Sequence, residues 1–166
     1  MPEKKKHLPI WPFCVALAVI LLLSVLSPVC RYFYTKDFVA RSDIQTAELF
    51  AYDIETMGLA GSEKPIFFFG SAGTRTNASC LDLSTEAYDI YSVFNVGNVL
   101  DLDTLKASQF IIDYLNELGY DYTAPTTADW KTYEKEITEH MPLQKCFPWY
   151  DGILETEHCI LVQLSQ

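Results

Sequence analysis

LPIWPFCVALAVILLLSVLSPVC, residues 8–30, contains no charged side chain, and from Val15 to Leu26 it is almost purely aliphatic. Wound into a helix rising ~1.5 Å per residue, these 23 residues reach about 34 Å, enough to cross ~30 Å of hydrocarbon. Pro9 and Pro12 fall in its first turns, where a missing amide costs least. Trp11 at one end, and Tyr32 and Tyr34 at the other, are residue types that settle at membrane interfaces. A core helix of a soluble protein is seldom so long or so uniformly apolar, so the segment reads as a transmembrane helix.

Lys4, Lys5 and Lys6, just before the span, would also suit a signal peptide. The cleavage region argues against removal: a cut after Ser27 puts Pro28 beyond the scissile bond, and a cut after Val29 offers a bulky residue where a small one is needed. Ser27–Cys30 is a poor lipoprotein box for the same reason. The expected layout is a cytoplasmic basic tail at 1–7, the span at 8–30, a juxtamembrane connector at 31–41 and an extracytoplasmic domain at 42–166. Direction follows from the crowding of Lys4–Lys6 against the more dispersed Arg31, Lys36 and Arg41, which Asp37 and Asp43 dilute.

From Pro28 onward there are 9 Lys and Arg against 21 Asp and Glu, a net charge of −12. Such a domain repels phosphate backbones, and nucleic acid is excluded as a partner. Composition is that of a folded chain, 49% hydrophobic and 20% charged, with neither repeats nor low-complexity tracts. Cys30, Cys80, Cys146 and Cys159 lie outside the core of the membrane and permit three full disulfide pairings, among which spacing does not choose. No Cys-x-x-Cys pair is present, so neither a zinc ribbon nor a thioredoxin-type centre is expected.

Hydropathy patterning predicts an α/β domain of layered helices and strands that closes on a β-hairpin. Arg31–Arg41 reads as a short connector that can continue the anchor helix, after which Ser42 with Gln45 has the form of a capping box opening a helix through Ile44, Ala47, Ala51, Ile54 and Met57, stopped by Gly58. Pro65–Gly70 brackets a continuously apolar run, as in a central strand covered on both faces. Ser71–Asn77 is a polar loop, Thr85–Phe94 a possible helix, Asn95–Asn98 a turn. Asp101 or Asp103 can cap the next helix, with Phe110, Ile111, Tyr114, Leu115 and Leu118 as its apolar stripe and Gly119 as its stop. Tyr120–Tyr122 has the look of a short strand. Thr126 and Asp129 open a third helix carrying Trp130, Tyr133 and Ile137, which ends near Met141-Pro142. Ile153-Leu154 and Cys159–Leu164 then read as two strands around the turn Glu155–His158.

Two segments are candidate ligand sites. Gly70, Ser71, Gly73 and Arg75 follow the apolar strand, where backbone amides and a guanidinium can hold an anion or a sugar; an ordinary turn explains them too, and no P-loop ending is present. Trp149 and Tyr150 offer faces for the C–H surfaces of sugar rings, whereas Phe147 is equally a core residue. Asp82, Glu86 and Asp89 could line a cleft as paired carboxylates, but a chain with this much charge yields such groupings by chance, and they read as solvated surface. His7, His140 and His158 show no ligand or triad spacing and are given no role. No cofactor or metal is expected. Asn77-Ala78-Ser79 matches the N-glycosylation pattern, a frequent chance match.

Met141-Pro142, Phe147-Pro148, Asp151-Gly152-Ile153 and the closing Ile160–Ser165 resemble the tail of bacterial polytopic O-antigen glucosyltransferase-like membrane proteins. The preceding order is similar too: a last transmembrane helix, a helix from Asp43-Ile44, the strand Ile66–Phe69, then Leu118-Gly119-Tyr120 and a further helix. The resemblance implies sugar transfer from a polyprenyl-phosphate donor to a glycan or lipid acceptor outside the cytoplasm, with catalytic acids in loops between earlier membrane helices. Those helices have no counterpart among these residues, and Gln163 stands where a basic residue is more usual. The chain is therefore expected to lack catalysis of its own and to serve beside a polytopic glycosyltransferase subunit or as a binder of cell-envelope glycan. The alternative is a membrane-anchored interaction module unrelated to sugar.

Overall fold

A computed structural model of the chain describes residues 10–70, 92–94, 102–148 and 150–164. The polar loop Ser71–Asn77, most of the helix expected at Thr85–Phe94 and the turn Asn95–Asn98 lie outside the described residues. The first element, α1, is one uninterrupted helix of 46 residues, Trp11–Thr56, about 69 Å long at the standard rise. It passes Pro28 without ending. By length and composition it is the one described helix able to cross a membrane.

Two environments share this helix. Every side chain from Ile10 to Tyr34 is exposed in the isolated chain. Beyond that, Thr35, Val39, Asp43, Ala47, Phe50 and Ile54 are buried, a helical spacing that marks one packed face. Burial thus starts seven residues before Ser42, which is why the expected N-cap does not form. Ser42 lies mid-helix, and its carbonyl accepts from Thr46 Oγ1 at 2.8 Å. The Ser-x-x-Gln pattern falls on residues that already have helical partners on both sides, and the segment 31–41 is helix throughout. At the other end Gly58 does stop the helix: at φ +74° it donates to Glu55 O, while Leu59 N reaches Ile54 O, both at 2.9 Å. This closure satisfies the last carbonyls and needs the left-handed conformation glycine adopts freely.

Three short strands form one sheet, β1 (Ile66–Phe69), β2 (Ile153–Glu155) and β3 (Ile160–Gln163), in the order β1-β3-β2. β3 runs parallel to β1 and antiparallel to β2. The apolar run at Ile66–Phe69 is covered on both faces as expected, but among the described residues it lies at the edge of the sheet and β3 is the central strand. Its outer edge is protected by α2 (Leu102–Glu117). Ser108 Oγ accepts from Phe68 N at 2.9 Å and lies 3.3 Å from Phe68 O, and Ile66 N donates to Thr123 O at 3.3 Å. A buried hydroxyl thereby satisfies the Phe68 backbone on the side of β1 away from β3.

The buried side of α2 differs from the expected stripe. Thr104, Leu105, Ser108, Ile111, Ile112 and Leu115 face inward, whereas Phe110 is 61% and Leu118 42% exposed. Two polar residues on the packed face shifted the apparent stripe. Asp103 lies inside the helix, and Asp101 lies outside the described residues. Gly119, at φ +100°, ends α2 as expected. Tyr120–Tyr122 is not a strand; Asn116 holds it by two bonds to the Tyr122 backbone, at 2.9 and 3.0 Å. The helix α3 (Thr127–His140) opens on the expected capping box of Thr126 and Asp129.

The sheet packs on both faces. Ile66, Phe68, Ile160 and Val162 meet Ala47, Phe50 and Ile54 of α1 and Ile111, Ile112 and Leu115 of α2. Phe67, Phe69 and Leu161 meet Trp130 and Ile137 of α3. Phe50 is the pivot, its ring 5.3 Å from Phe68, 5.6 Å from Tyr122 and 6.1 Å from Phe147.

Strand direction follows from these contacts. The start of β1 lies at Thr123, beside Tyr122, whose phenol is pushed up to about 12 by burial, then by Tyr120 and by Glu55 near the end of α1. Two residues on, Phe68 sits 6.4 Å from Phe94, and the neighbouring Val93 N donates to Asp43 at 3.1 Å. Hence β1 runs from the level of Glu55 back toward the level of Asp43, opposite to α1, and β3 runs with it.

Candidate functional site

The register sets two ends of the sheet apart. At one end β1 and β3 terminate, Phe69 beside Gln163, and β2 begins, Ile153 opposite Val162. Gly70, buried and at φ +83°, leaves β1 there. The 3-10 turn Tyr150–Gly152 enters β2 at the same end. The backbones of two predicted candidates, Gly70 and Tyr150, are therefore brought to one end of the sheet, with β3 between them. Ser71, Gly73, Arg75 and Trp149 lie outside the described residues, as do Asp82, Glu86 and Asp89.

Phe147, the ambiguous aromatic, is core: 6% exposed, packed on Phe50, with its amide donating to Gln163 O at 2.6 Å. Gly152 explains itself by contact, because a Cβ there would collide with the Cys146 and Phe147 backbone. Cys14, Cys30, Cys146 and Cys159 are free thiols, so none of the pairings among Cys30, Cys146 and Cys159 forms.

At the opposite end of the sheet, α3 and the turn between β2 and β3 enclose an open groove of about 640 Å³ lined by Tyr133, Glu136, Glu139, His140, Glu155 and His158, among others. His158 was given no role from sequence, and here it is the centre. Its Nδ1 stands 3.1 Å from Glu136 Oε2, its amide donates to Glu136 Oε1 at 3.4 Å, and its ring stacks on Tyr133 at 5.3 Å and 16°. The Glu136 carboxyl is held below the usual carboxylate range, first by a hydrogen bond from Thr156 and then by His158. Lys64 Nζ ties the turn from the other side, 2.7 Å from both Glu155 Oε1 and Thr156 O.

Chemistry in this groove is limited by what each group can do. Cys159 is buried, and burial pushes its thiol up, so at neutral pH it is a poor nucleophile. Its Sγ rests 3.2 Å from Thr156 Oγ1. Among the described residues no three His, Cys, Asp or Glu side chains converge on a metal position. The groove is an acidic, partly aromatic surface suited to binding. Sequence reasoning missed it because Glu136 and His158 are 22 residues apart and meet only when α3 packs on the sheet.

Asp43 is 4% exposed and, with Asp53 at 8%, one of two buried carboxylates on α1 among the described residues. It accepts from Ser92 Oγ at 2.5 Å and Val93 N at 3.1 Å, and burial raises its pKa against those bonds. Its place in helix α1 makes it a positioning group for the 92–94 turn.

The chain matches no known protein family, no curated protein and no solved structure. Its functional reading therefore rests on its own geometry and on the sequence resemblance.

Proposed function

We propose that this is a single-pass membrane protein whose α/β domain stands outside the cytoplasm as a binding module, without catalysis of its own, in the service of sugar transfer from a polyprenyl-phosphate donor. Its partners are the lipid bilayer and either cell-envelope glycan or a polytopic glycosyltransferase. The observation that carries the anchored half is helix α1, apolar and exposed over its first half and built into a protein core over its second. The sugar half is supported by the resemblance and by Gly70 and Tyr150 sharing one end of the sheet. The layered α/β arrangement with a terminal hairpin belongs to the same proposal, and it fits the two packed faces and the antiparallel β2–β3 pair.

The test uses the full chain in nanodiscs. It is expected to bind O-antigen polysaccharide, and to transfer no glucose from polyprenyl-phosphate glucose when alone. Trp149→Ala with Tyr150→Ala should weaken that binding by about 1–3 kcal/mol, as for other aromatic platforms. Absence of polysaccharide binding, or transfer by the chain alone, overturns the sugar reading. A second reading, an anchored interaction module unrelated to sugar, is favoured by the groove at the other end of the sheet, whose acidic lining suits a cationic protein surface.

A further inference from the structure

We infer that the stretch Arg31–Lys36 of α1 is a headgroup-binding collar whose partner is anionic phospholipid, the lipid phosphate being held by Arg31 and Lys36. This rests on the anchor reading of α1 and names the class of lipid that the anchor selects. The helix is continuous from Trp11 to Thr56, so heights beyond Cys30 follow from the helical rise. Arg31 lies about 1.5 Å beyond Cys30, Tyr34 about 6 Å and Lys36 about 9 Å. The interfacial layer outside the hydrocarbon is about 5–8 Å thick on each side, and the flexible lysine stem lets its ammonium reach back into it. Arg41, about 16.5 Å out, stands beyond that layer. Its guanidinium is already paired with Asp37 at 2.9 Å.

The side chains at this height suit a phosphate-bearing headgroup. Arg31 and Lys36 are exposed, and among the described residues neither forms an ion pair with a carboxylate. At about 100° per residue they stand roughly 140° apart around the axis, so the two cations serve headgroups on different sides of the helix. Tyr32, Phe33 and Tyr34 lie between them and are exposed as well, and tyrosine rings settle at headgroup level. Farther along, the charge reverses. Residues 42–166 hold 6 Lys and Arg against 20 Asp and Glu, a net charge of −14. An anionic membrane surface repels such a domain, so the collar is the place where this side of the chain gains from anionic lipid. That gain is on the order of fivefold in preference for each basic residue at the surface.

The experiment places the full chain in vesicles of equal parts phosphatidylglycerol and phosphatidylcholine, with a photo-cross-linking phenylalanine analogue in place of Phe33. Lys4, Lys5 and Lys6 sit at the other end of the apolar run and do not bear on adducts formed at position 33. Mass spectrometry counts the lipid adducts. Those of phosphatidylglycerol should outnumber those of phosphatidylcholine by about fivefold, and Arg31→Gln with Lys36→Gln should return the ratio to that of the bulk lipid. A bulk ratio before the double substitution, or an excess that survives it, overturns the inference while leaving the anchor intact. Alkaline carbonate extraction of the same vesicles reports on the anchor separately. Retention of the chain supports the anchor, and release overturns it together with the collar.

Discussion

The two halves of α1 are the same secondary structure with opposite side-chain logic. From Trp11 to Cys30 apolar residues point in every direction, and none is covered by protein. From Arg31 to Thr56 the buried apolar residues Val39, Ala47, Phe50 and Ile54 follow one face, while Phe33, Ile44, Leu49 and Tyr52 stay exposed beside Asp37, Arg41, Glu48 and Glu55. Helical backbone satisfies its own hydrogen bonds in either setting, so the solvent decides the side chains. Hydrocarbon accepts an apolar residue at any angle, whereas water and a protein core together demand a stripe. The difference also separates what each half can tolerate.

The largest expected effect uses that difference directly. One alanine inserted after Asp43 turns the remainder of the helix by about 100°, taking Ala47, Phe50 and Ile54 off the packed face while Thr35 and Val39 stay. Cooperative thermal unfolding of the domain should be lost. The same insertion after Ala18 turns one uncovered apolar surface into another, and the unfolding transition should keep its midpoint. If both insertions behave alike, the two halves are not in different solvents.

Next in size is Phe50→Ala, which removes the ring that meets Phe68, Tyr122 and Phe147. It should cost about 3–5 kcal/mol in denaturant unfolding of the detergent-solubilised chain. Phe33→Ala on the exposed half should change domain stability by less than about 0.5 kcal/mol. A smaller effect is expected for Ser108→Ala, which strips the Phe68 amide of its partner at a protected edge. A cost of about 1–3 kcal/mol is anticipated, together with faster hydrogen exchange at Phe68. An unchanged exchange rate would mean that something other than Ser108 covers the edge.

The smallest effect is a pH dependence. Burial raises the Asp43 pKa in the folded chain, so the folded state favours the protonated form. The associated stability is fully present below the unfolded value of 3.8 and is lost as pH rises through the raised value. Glu136, with its pKa lowered, works oppositely, its contribution being present above the unfolded value of 4.5 and lost as pH falls through the lowered value. Lowering pH from neutral toward 4.5 should therefore raise the unfolding midpoint through Asp43. Asp53 adds a like-signed contribution, its pKa also raised by burial. Asp43→Asn should flatten the slope, and an unaltered slope would assign it to other groups.

Much of this molecule was written locally. The apolar first half of α1 was legible because its run of residues carries no charge at any position. Gly58 and Gly119 were legible as stops because a left-handed residue suits glycine whatever lies around it. The capping box at Thr126 and Asp129 and the strands near 66–69, 153–155 and 160–163 were legible for similar reasons, since each depends on neighbours a few residues away. The Ser42 box shows the limit of such signals: the same letters occur inside a helix when tertiary packing extends the helix past them.

What tertiary structure alone decided is whatever needs two distant segments to meet. Sequence gave Ile66–Phe69 the look of a central strand, because a hydrophobic run reports two covered faces and says nothing of its edges. Only the packing of α2 revealed that Ser108 closes that edge. His158 carried no sign of Glu136, Tyr133 or Lys64, since pairing across an α3–sheet contact leaves no spacing to read. The continuity of α1 from its apolar first half into the core, with β1 folding back along it, likewise came from Phe50, Phe68 and Asp43 finding partners far along the chain. Local chemistry fixed which elements form, and long-range burial fixed which ends of them face each other.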